Sequence, residues 1–344
     1  MKALRFHHWK QPAQLEDVPV PEPGPGEALI RVGGAGACHS DLHVMHEWTP
    51  EAMPRLAGWS LPFTLGHENA GWIEGGETAG MELGAPVVIS PVWGCGKCRS
   101  CRTGADNYCD HPNPAGSGGL GRDGGMAEYM VVPVSAVVPL TSLEPAEAAP
   151  LTDAGLTSYH AVKQCLPILT PDTTAVVIGV GGLGHLAVEF LSVLSGAQII
   201  AVDRDEKALK MAAERGADLC LSSDEATAKR IKGATKGLGA MAVLDFVGIE
   251  ATLTMAAQSV RRMGRIVLVG LGGGVFPFSY TALPQGCALM TVLGGSTGEL
   301  GEVVALAEAG KLKPQIQRFA LEEVDTVYKK LQANEIAGRA VSIP

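Results

Sequence analysis

The sequence lacks several features that would assign it to other classes of protein. Its most apolar stretches, residues 176–194 and 266–274, are interrupted by glycines and do not reach the run of about 20 apolar residues that crosses a membrane. Residues 1–9 have no long apolar core behind a basic start, so we read them as a first β-strand rather than a secretory signal. We therefore expect a cytoplasmic protein without a membrane-spanning segment.

Positive charge and repetitive sequence are also scarce. The 27 Lys and Arg residues against 36 Asp and Glu residues give a net charge of −9, which disfavours nucleic acid or an anionic membrane as a partner. The chain has no internal repeat and no charge run, and its 46% apolar content is that of a globular protein. At 344 residues it is long enough for two domains, and small molecules are the expected partners.

Cysteine, in contrast, is concentrated in one short segment, which holds Cys95, Cys98, Cys101 and Cys109. Four thiolates close a tetrahedron around zinc and leave no position open, so we predict a structural zinc lobe over residues 92–112. An iron–sulfur cluster is a weaker alternative, because the interval before Cys109 is longer than the final spacing in bacterial ferredoxins. Disulfides or plain thiols are the remaining alternative.

Two regions of the chain differ in pattern. Residues 1–150 contain short apolar runs separated by Pro and Gly clusters, which predicts β-rich structure, and the glycine-rich stretch 114–125 is predicted to be a loop. From about residue 155, short apolar runs alternate with longer helical patterns. This alternation predicts an α/β region with a doubly wound parallel sheet.

Six strands are predicted in this second region, at residues 175–178, 199–202, 219–221, 243–246, 265–269 and 289–293. The helix after the first strand has an apolar face that should pack on the sheet. That face consists of Leu186, Ala187, Phe190, Leu191 and Leu194. A further helix is predicted over residues 299–309, and residues 339–343 are predicted to form a strand that returns to the first region.

A glycine pattern typical of dinucleotide binding follows the first of these strands. Gly179, Gly181 and Gly184 form G-x-G-x-x-G at the start of a helix, where backbone N–H groups can approach a pyrophosphate. Asp203 follows the second strand and can accept hydrogen bonds from the adenosine ribose, which favours NAD over NADP. Arg204 could attract a 2′-phosphate only if that carboxylate were neutralised or turned away. A glycine turn of an ordinary α/β protein is the alternative.

A second group of possible metal ligands lies in the first region. Residues 38–43 combine a thiol, two imidazoles, a hydroxyl and a carboxylate, and His67 and Glu68 form another imidazole–carboxylate pair. A catalytic zinc has three protein ligands and one open position, and Cys38 and His67 supply two. Each of these residues alone is more often a buried thiol or a hydrogen-bonded histidine. The four-cysteine segment and the dinucleotide pattern together favour the metal.

These four motifs, in this order along the whole chain, resemble the zinc-dependent alcohol dehydrogenases of the medium-chain dehydrogenase/reductase family, and most of all the bacterial secondary-alcohol dehydrogenases. The resemblance implies a GroES-like β-rich catalytic domain formed by residues 1–153 and 297–344. It also implies a Rossmann NAD-binding domain with six parallel strands, formed by residues 154–296. Members are dimers or tetramers, so we expect a homo-oligomer, and a tetramer rather than a dimer.

The same resemblance implies roles for single residues. Cys38 and His67 would hold the catalytic zinc, with Glu68 behind or beside the metal. Asp41 would accept the other ring N–H of His67 and so orient it. Two further residues would face the phosphates of the cofactor, namely His39 and Arg339.

The third ligand of the catalytic zinc departs from the cysteine of the better-known animal and yeast members. We assign Asp153, in Leu-Thr-Asp-Ala-Gly-Leu-Thr, because a carboxylate keeps the ligand charge and zinc accepts oxygen ligands. Bacterial secondary-alcohol dehydrogenases carry a similar pattern. The alternative is that Asp153 caps a helix and that Glu68 or Cys165 supplies the third ligand.

The reaction that the resemblance implies is reversible hydride transfer between an alcohol and NAD. Zinc would bind the alcohol oxygen and lower its pKa, and Ser40 would accept the proton. A relay through the nicotinamide ribose would bring the proton to His43 for release to solvent. Thr157 would touch the nicotinamide ring. The candidate cofactor-binding residues also include Gly182, Leu183, Val247, Val269, Gly270 and Leu271.

Substrate choice rests on fewer signals. Trp48, Trp59 and Trp93 could line an apolar pocket or could belong to ordinary cores, and Gly294 stands where some related enzymes have a bulky aromatic residue. We therefore expect secondary or aryl alcohols with their ketones or aldehydes. Oxidation of polyols of the sorbitol type is one alternative. A family member that binds NAD and zinc without turnover is another, which the complete ligand set disfavours.

Overall fold

The computed structural model describes residues 1–78, 80–333 and 335–344. The chain divides into two compact units: the first comprises Met1–Leu156 and Gly294–Pro344, and the second comprises Thr157–Leu293. The strands are β1 (Lys2–Phe6), β2 (Gln14–Asp17), β3 (Glu27–Ala37), β4 (Phe63–Thr64), β5 (Glu68–Gly76), β6 (Pro86–Ile89), β7 (Ser117–Gly118), β8 (Gly121–Arg122), β9 (Tyr129–Pro133), β10 (Val137–Pro139), β11 (Thr174–Ile178), β12 (Gln198–Asp203), β13 (Leu219–Ser222), β14 (Ala240–Asp245), β15 (Val260–Leu268), β16 (Ala288–Thr291), β17 (Ile316–Ala320) and β18 (Arg339–Ile343). The helices are α1 (His39–His46), α2 (Arg99–Arg102), α3 (Pro145–Ala148), α4 (Ala154–Cys165), α5 (Gly184–Leu194), α6 (Glu206–Glu214), α7 (Thr227–Ala234), α8 (Glu250–Ser259), α9 (Thr297–Glu308) and α10 (Val324–Gln332).

The first unit is built around the long strand β3. This strand lies in a seven-stranded sheet of order β10-β6-β5-β3-β18-β17, and β9 pairs with its first half. The second half of β3 is rich in glycine because other groups pack directly on it: a Cβ at Gly33 would lie 2.6 Å from the ring of Trp72, and one at Gly34 2.8 Å from Ala146. Strand β3 therefore has close neighbours along its whole length, and its last residues are fixed in position.

The predicted β-rich character of the first region is confirmed, including a strand at the start of the chain. The glycine-rich stretch predicted as a loop differs from the prediction, because it contains the short parallel pair β7 and β8. Gly119 and Gly121 have positive φ angles of 78° and 97°, which let the chain turn back on itself within two residues. The glycine content therefore suggested a loop, whereas the structure has two short paired strands connected by a tight turn.

The second unit contains the predicted parallel sheet of six strands, in the order β13-β12-β11-β14-β15-β16. This is the strand order of a Rossmann dinucleotide-binding fold, with the change of direction between β11 and β14. Strands β14 and β15 begin earlier than predicted, because Ala240 pairs with Val260 before the continuous apolar run starts. Strand β16 ends at Thr291, two residues before the predicted end.

Helix α5 follows the first strand of this sheet, as predicted, and packs on β11 and β12. Its first two turns are buried on all sides rather than on one face. Helix α9 begins at Thr297, two residues earlier than predicted, because the Ser296 hydroxyl accepts the N–H of Glu299 and caps it. Strand β18 pairs with β3 in the first unit, as predicted. Among the described residues, no helix is long and apolar enough to span a membrane.

Candidate functional site

Three segments of the first unit bring Cys38, His67 and Asp153 together. Cys38 lies between β3 and α1, His67 directly precedes β5, and Asp153 lies between a 3₁₀ turn and α4. Because Gly36 of β3 pairs with Glu68 of β5, the ends of these two strands meet at the same edge of the sheet. The ligand atoms of the three residues and of Glu68 all lie within 4.8 Å of one another.

The distances between these donor atoms fit a tetrahedral zinc ion. Asp153 Oδ2 lies 3.6 Å from Cys38 Sγ and 3.5 Å from His67 Nε2. Usual zinc–ligand bond lengths give tetrahedron edges of about 3.6 Å between sulfur and oxygen and about 3.4 Å between nitrogen and oxygen. Cys38 and His67 are buried, so the donor set is shielded from water on the protein side. The geometry therefore fits zinc with Asp153 as the oxygen donor.

Glu68 lies beside this donor set and is completely buried. Its Oε1 pairs with the guanidinium of Arg339, while its Oε2 has no hydrogen-bond partner among the residues that the structure describes. Burial raises the pKa of Glu68 to about 8, and the charge of Arg339 opposes that rise. A Cβ at Gly36 would overlap Oε2, so this glycine makes room for the carboxylate. The unsatisfied oxygen is a further sign that a cation belongs at this site.

His67 is held from behind by a carboxylate and a tyrosine. Asp41 Oδ1 lies 3.1 Å from His67 Nδ1, and Asp41 Oδ2 accepts the backbone N–H of Cys38 at 3.0 Å. The hydroxyl of Tyr328 in α10 donates to the same oxygen at 3.1 Å. Asp41 therefore contacts the imidazole and is hydrogen-bonded to the start of α1. Asp41 was predicted from the sequence, whereas Tyr328 was not, because α10 lies 287 residues further along the chain.

Helix α1 carries the other polar residues of the motif that contains Cys38. Ser40 Oγ lies 3.7 Å from Cys38 Sγ, which places the hydroxyl at the donor set. His43 Nδ1 pairs with Glu47 Oε2 at 2.7 Å, and its ring stacks on Trp48 with 5.7 Å between centroids. His39 is exposed at the start of the helix. Neither Glu47 nor the stacking of Trp48 on His43 was expected from the sequence.

Arg339 was expected at the cofactor phosphates, and the structure gives it a buried partner in addition. Its guanidinium is 3% exposed, pairs with Glu68 and donates to the carbonyl of Ala37 at 3.2 Å. Cys165 was named as an alternative metal ligand. It lies at the opposite end of α4 from Asp153, about 18 Å along the helix axis, and is not in the donor group among the described residues.

The second donor group is the cysteine lobe, which we define as residues 95–109. Its four sulfurs lie within 4.8 Å of one another, with 4.0 Å between the sulfurs of Cys95 and Cys101 and 3.9 Å between those of Cys98 and Cys109. A disulfide bond is about 2.05 Å long, whereas four thiolates around zinc have edges of about 3.8 Å. The lobe therefore fits a closed zinc site and not a pair of disulfides.

Backbone N–H groups point at the sulfurs of this lobe. Those of Lys97 and Cys98 lie 3.4 Å from Cys95 Sγ, and that of Asp110 lies 3.4 Å from Cys98 Sγ. The hydrogen bonds from Lys97 and Cys98 lower the pKa of the Cys95 thiol to about 6. At Cys95 the main chain thus favours the thiolate, which is the form that binds a metal, whereas burial raises the pKa of Cys101 to about 12.

The glycine turn of the second unit has the geometry that a dinucleotide requires. Gly179 has a φ of 81°, and a Cβ at Gly184 would overlap the carbonyl of Gly179, so both positions need glycine. A Cβ at Gly181 would meet no heavy atom of the described residues within 4 Å, which leaves the backbone open to a ligand. Asp203 Oδ2 accepts the N–H of Val180 at 2.8 Å. The acid therefore also supports the turn, which the sequence analysis did not foresee.

The other candidate cofactor residues gather at the ends of the parallel strands. Asp245, at the end of β14, accepts the N–H groups of Val247 and Gly248 with its side chain. Its carbonyl accepts the N–H groups of Val269 and Gly270. Asp245 was missed because it reads as one more residue of an apolar strand. Of the remaining candidates, Thr157 is buried, Gly182 and Leu183 are half-buried, and Arg204 and Leu271 are exposed.

The tryptophans predicted for a substrate pocket have different surroundings. Trp59 stacks on Trp9 and meets Phe63 edge to face, so it belongs to an aromatic cluster against the core of the first unit. Trp93 is half-buried and donates its indole N–H to the carbonyl of Ser90 at 3.0 Å. A Cβ at Gly294 would lie 3.5 Å from Val92, next to Trp93 in the chain.

Known proteins share both parts of this chain. Residues 24–142 match the family described as alcohol dehydrogenase GroES-like domain, and residues 182–309 match the family described as zinc-binding dehydrogenase. The chain is 37% identical to an NAD-dependent alcohol dehydrogenase of Sulfurisphaera tokodaii, over 100% of both chains. It is 38% identical to a D-arabinose 1-dehydrogenase (NADP(+)) of Saccharolobus solfataricus, over 100% of this chain and 97% of that one. The crystal structure of the alcohol dehydrogenase of Aeropyrum pernix has a TM-score of 0.91 at 37% identity, over 100% of both chains.

The fold, the glycine turn and the two donor groups together define a two-metal, dinucleotide-dependent dehydrogenase. The comparisons agree with that class at both the sequence and the structural level. The chain belongs to the zinc-dependent alcohol dehydrogenases of the medium-chain dehydrogenase/reductase family. Its GroES-like part corresponds to the first unit, and its Rossmann sheet lies in the second.

Proposed function

We propose that this protein oxidises secondary or aryl alcohols to ketones or aldehydes with NAD. In the opposite direction it reduces the ketones or aldehydes with NADH. The observation that carries the proposal is the convergence of Cys38, His67 and Asp153 on one tetrahedral donor set. Its cofactors are NAD and two zinc ions per chain. When bound, the zinc ion of this set supplies Lewis acidity towards the alcohol oxygen and NAD accepts the hydride.

The residues of the chain hold the reactants and move one proton. The Ser40 hydroxyl lies at the donor set and accepts the proton that leaves the alcohol. His43 is three residues later on the same face of α1 and releases the proton to solvent, with Glu47 paired to its Nδ1. Asp41 keeps His67 in the orientation that presents Nε2 to the metal.

Residue assignments in the second unit concern the cofactor. Gly179, Gly181 and Gly184 leave room for the pyrophosphate at the start of α5, and the Asp203 carboxylate faces the ribose and repels a 2′-phosphate. In this proposal residues 154–296 form the cofactor domain, and residues 1–153 with 297–344 form the catalytic domain. His39, Thr157, Arg339 and the ends of β14 and β15 contact the cofactor.

A sugar or polyol is the second candidate substrate, because one relative with 38% identity is a D-arabinose 1-dehydrogenase (NADP(+)). Beside Trp93 lie both an apolar side chain, that of Met130 against Gly118, and a hydrogen-bond donor, the guanidinium of Arg122 at 4.9 Å from the ring centre, so the two substrate classes are separated by experiment. On family resemblance we also propose that the protein is a homotetramer and is located in the cytoplasm. Light scattering on the purified protein would measure the number of subunits.

The test is a panel of substrates offered with NAD and with NADP, followed through absorbance of the reduced cofactor. We expect the highest kcat/KM with a secondary or aryl alcohol and NAD. Faster oxidation of D-arabinose or sorbitol would show that the substrate is a sugar or a polyol and not a secondary or aryl alcohol. A preference for NADP would contradict the role of Asp203. Absence of turnover with every substrate in zinc-loaded protein would identify a binding protein.

A further inference from the structure

A carboxylate of the cysteine lobe accepts hydrogen bonds from the first residue of helix α9. Asp106 lies in a 3₁₀ turn between the third and fourth cysteines. Its Oδ2 accepts the Thr297 hydroxyl at 2.6 Å, and its Oδ1 accepts the backbone N–H of Thr297 at 3.1 Å. Negative charge at a helix N-terminus is favourable, and charge-assisted hydrogen bonds are strong. The Asp106 side chain therefore connects the lobe to the start of α9 through hydrogen bonds.

The Thr297 hydroxyl continues this connection to Ser90. Thr297 Oγ1 lies 3.1 Å from Ser90 Oγ, which in turn lies 3.3 Å from the carbonyl oxygen of Val92. A hydroxyl has one proton, so the Thr297 hydroxyl donates to the charged acceptor Asp106, and its oxygen accepts the proton of the Ser90 hydroxyl, for which the carbonyl of Val92 competes. Ser90 is completely buried, so its hydroxyl depends on these protein partners rather than on water.

Ser90 is also the residue that anchors Trp93, through its carbonyl and the indole N–H. One side of the indole faces Gly118, where a Cβ would lie 2.9 Å from the ring. The next residue, Gly119, packs on the backbone of the candidate zinc ligand His67, with 2.7 Å from an added Cβ to its nitrogen. The Trp93 ring therefore packs on Gly118, the residue before the glycine that meets the His67 backbone, and its indole N–H is tied to Ser90.

We propose that Thr297 and Asp106 are positioning residues for substrate selectivity: through Ser90 they fix the turn that presents Trp93. The inference rests on the proposed function, in which Trp93 lines the pocket for the alcohol. It also assigns a second task to the cysteine lobe, since the lobe holds Asp106 in place. The residues named here all belong to the first unit.

The decisive comparison is Thr297→Val against Thr297→Ser, because the first keeps the shape and removes the hydroxyl while the second keeps the hydroxyl. We expect Thr297→Val to lower kcat/KM for an aryl alcohol by about three- to tenfold, as for the loss of one buried hydrogen bond, and chiefly through KM. A small secondary alcohol such as 2-butanol should change less than about twofold, because it contacts less of Trp93. Thr297→Ser should behave as the unaltered enzyme.

Thr141→Val is the matched control. Its hydroxyl donates to Glu308 at 2.6 Å at the other end of the same helix, so the change removes the same kind of bond from α9. We expect a similar small loss of thermal stability and an unchanged ratio of kcat/KM values for the two alcohols. An equal loss for both alcohols in Thr297→Val, or the same selectivity change in Thr141→Val, would overturn the proposal.

A second measurement does not depend on turnover. In protein labelled with 5-fluorotryptophan, Trp93→Phe assigns one of the five fluorine signals, and that signal should shift in Thr297→Val and Asp106→Asn but not in Thr141→Val. An unmoved signal contradicts the inference. The proposed function is judged separately: if Trp93→Ala leaves selectivity unchanged, the pocket assignment fails, whereas a change there with none in Thr297→Val defeats only the positioning role.

Discussion

The cysteine lobe and the donor set around Cys38 hold metal by different means. The lobe takes its four ligands from fifteen consecutive residues, and backbone N–H groups orient the sulfurs. The other set takes its ligands from three separate segments, the outer two of which, at Cys38 and Asp153, are 115 residues apart, and the side chain of Asp41 lies against His67. A local site can therefore fold around its metal, whereas the dispersed site needs the sheet of the first unit to assemble first. With Cys38, His67 and Asp153 as the protein ligands that we propose, the dispersed site would keep one position for substrate.

Cys38→Ser and Cys98→Ser make the same chemical change in the two regions, and the first has the larger expected effect on catalysis. Loss of Lewis-acid chemistry worth several kcal/mol should reduce kcat/KM by at least about 10³-fold in Cys38→Ser. The zinc content should fall from two ions to one per chain, while thermal stability changes little. Turnover near the original rate in a protein with one zinc would contradict this assignment, because it would show that the catalytic zinc is not held by Cys38.

Cys98→Ser should act on stability rather than on chemistry. A structural zinc contributes to folding directly, so we expect the melting temperature to fall by on the order of 10 °C. Calorimetry with zinc analysis tests this, and the fraction that remains folded should keep most of its turnover with a small secondary alcohol such as 2-butanol. An unchanged melting temperature would show that the lobe does not anchor the first unit.

The orientation of His67 by a neighbouring side chain can be tested at Asp41, whose Oδ1 lies 3.1 Å from His67 Nδ1. Asp41→Asn should lower zinc affinity at the catalytic set or turnover by about 10- to 100-fold, as outer carboxylates of zinc sites do. Tyr328→Phe removes one hydrogen bond to the same carboxylate and should lower turnover by less, about three- to tenfold. Zinc titration in the presence of a chelator measures the first effect. If Tyr328→Phe exceeded Asp41→Asn, Asp41 would not be the main support of His67.

The smallest expected effects come from alanine substitutions at two glycines, one in each region. These substitutions differ in their effect on turnover and not in their effect on the free energy of unfolding. At Gly36 an added methyl group would overlap the Glu68 carboxylate, and such overpacking costs about 1–3 kcal/mol. At Gly96 the methyl group would meet no described atom within 4 Å, and the cost is the strain of a φ of 68°, about 1–2 kcal/mol. Chemical denaturation should show similar losses for Gly36→Ala and Gly96→Ala, but only the first should alter turnover. Reduced turnover in Gly96→Ala would show that the two regions are coupled.

The parts of this protein that the sequence determined by itself are those that local chemistry defines. Four cysteines in one loop indicate a closed metal site, and glycines after an apolar strand indicate a nucleotide turn, because in each case neighbouring residues supply the whole geometry. A doubly wound parallel sheet could be inferred because alternation of strands and helices permits few topologies, whereas the order of its strands came from the structure.

Tertiary structure decided what depends on distant segments. It brought Asp153 to within 3.6 Å of Cys38, paired Arg339 with Glu68, placed Tyr328 behind Asp41 and joined Asp106 to Thr297. It also placed Trp59 against Trp9 in an aromatic cluster, which is the packing in the core that the sequence had left open beside the pocket. No periodicity or spacing encodes such contacts, because hydrogen bonds and ion pairs act over a few ångströms and their partners meet only when strands from remote parts of the chain pair.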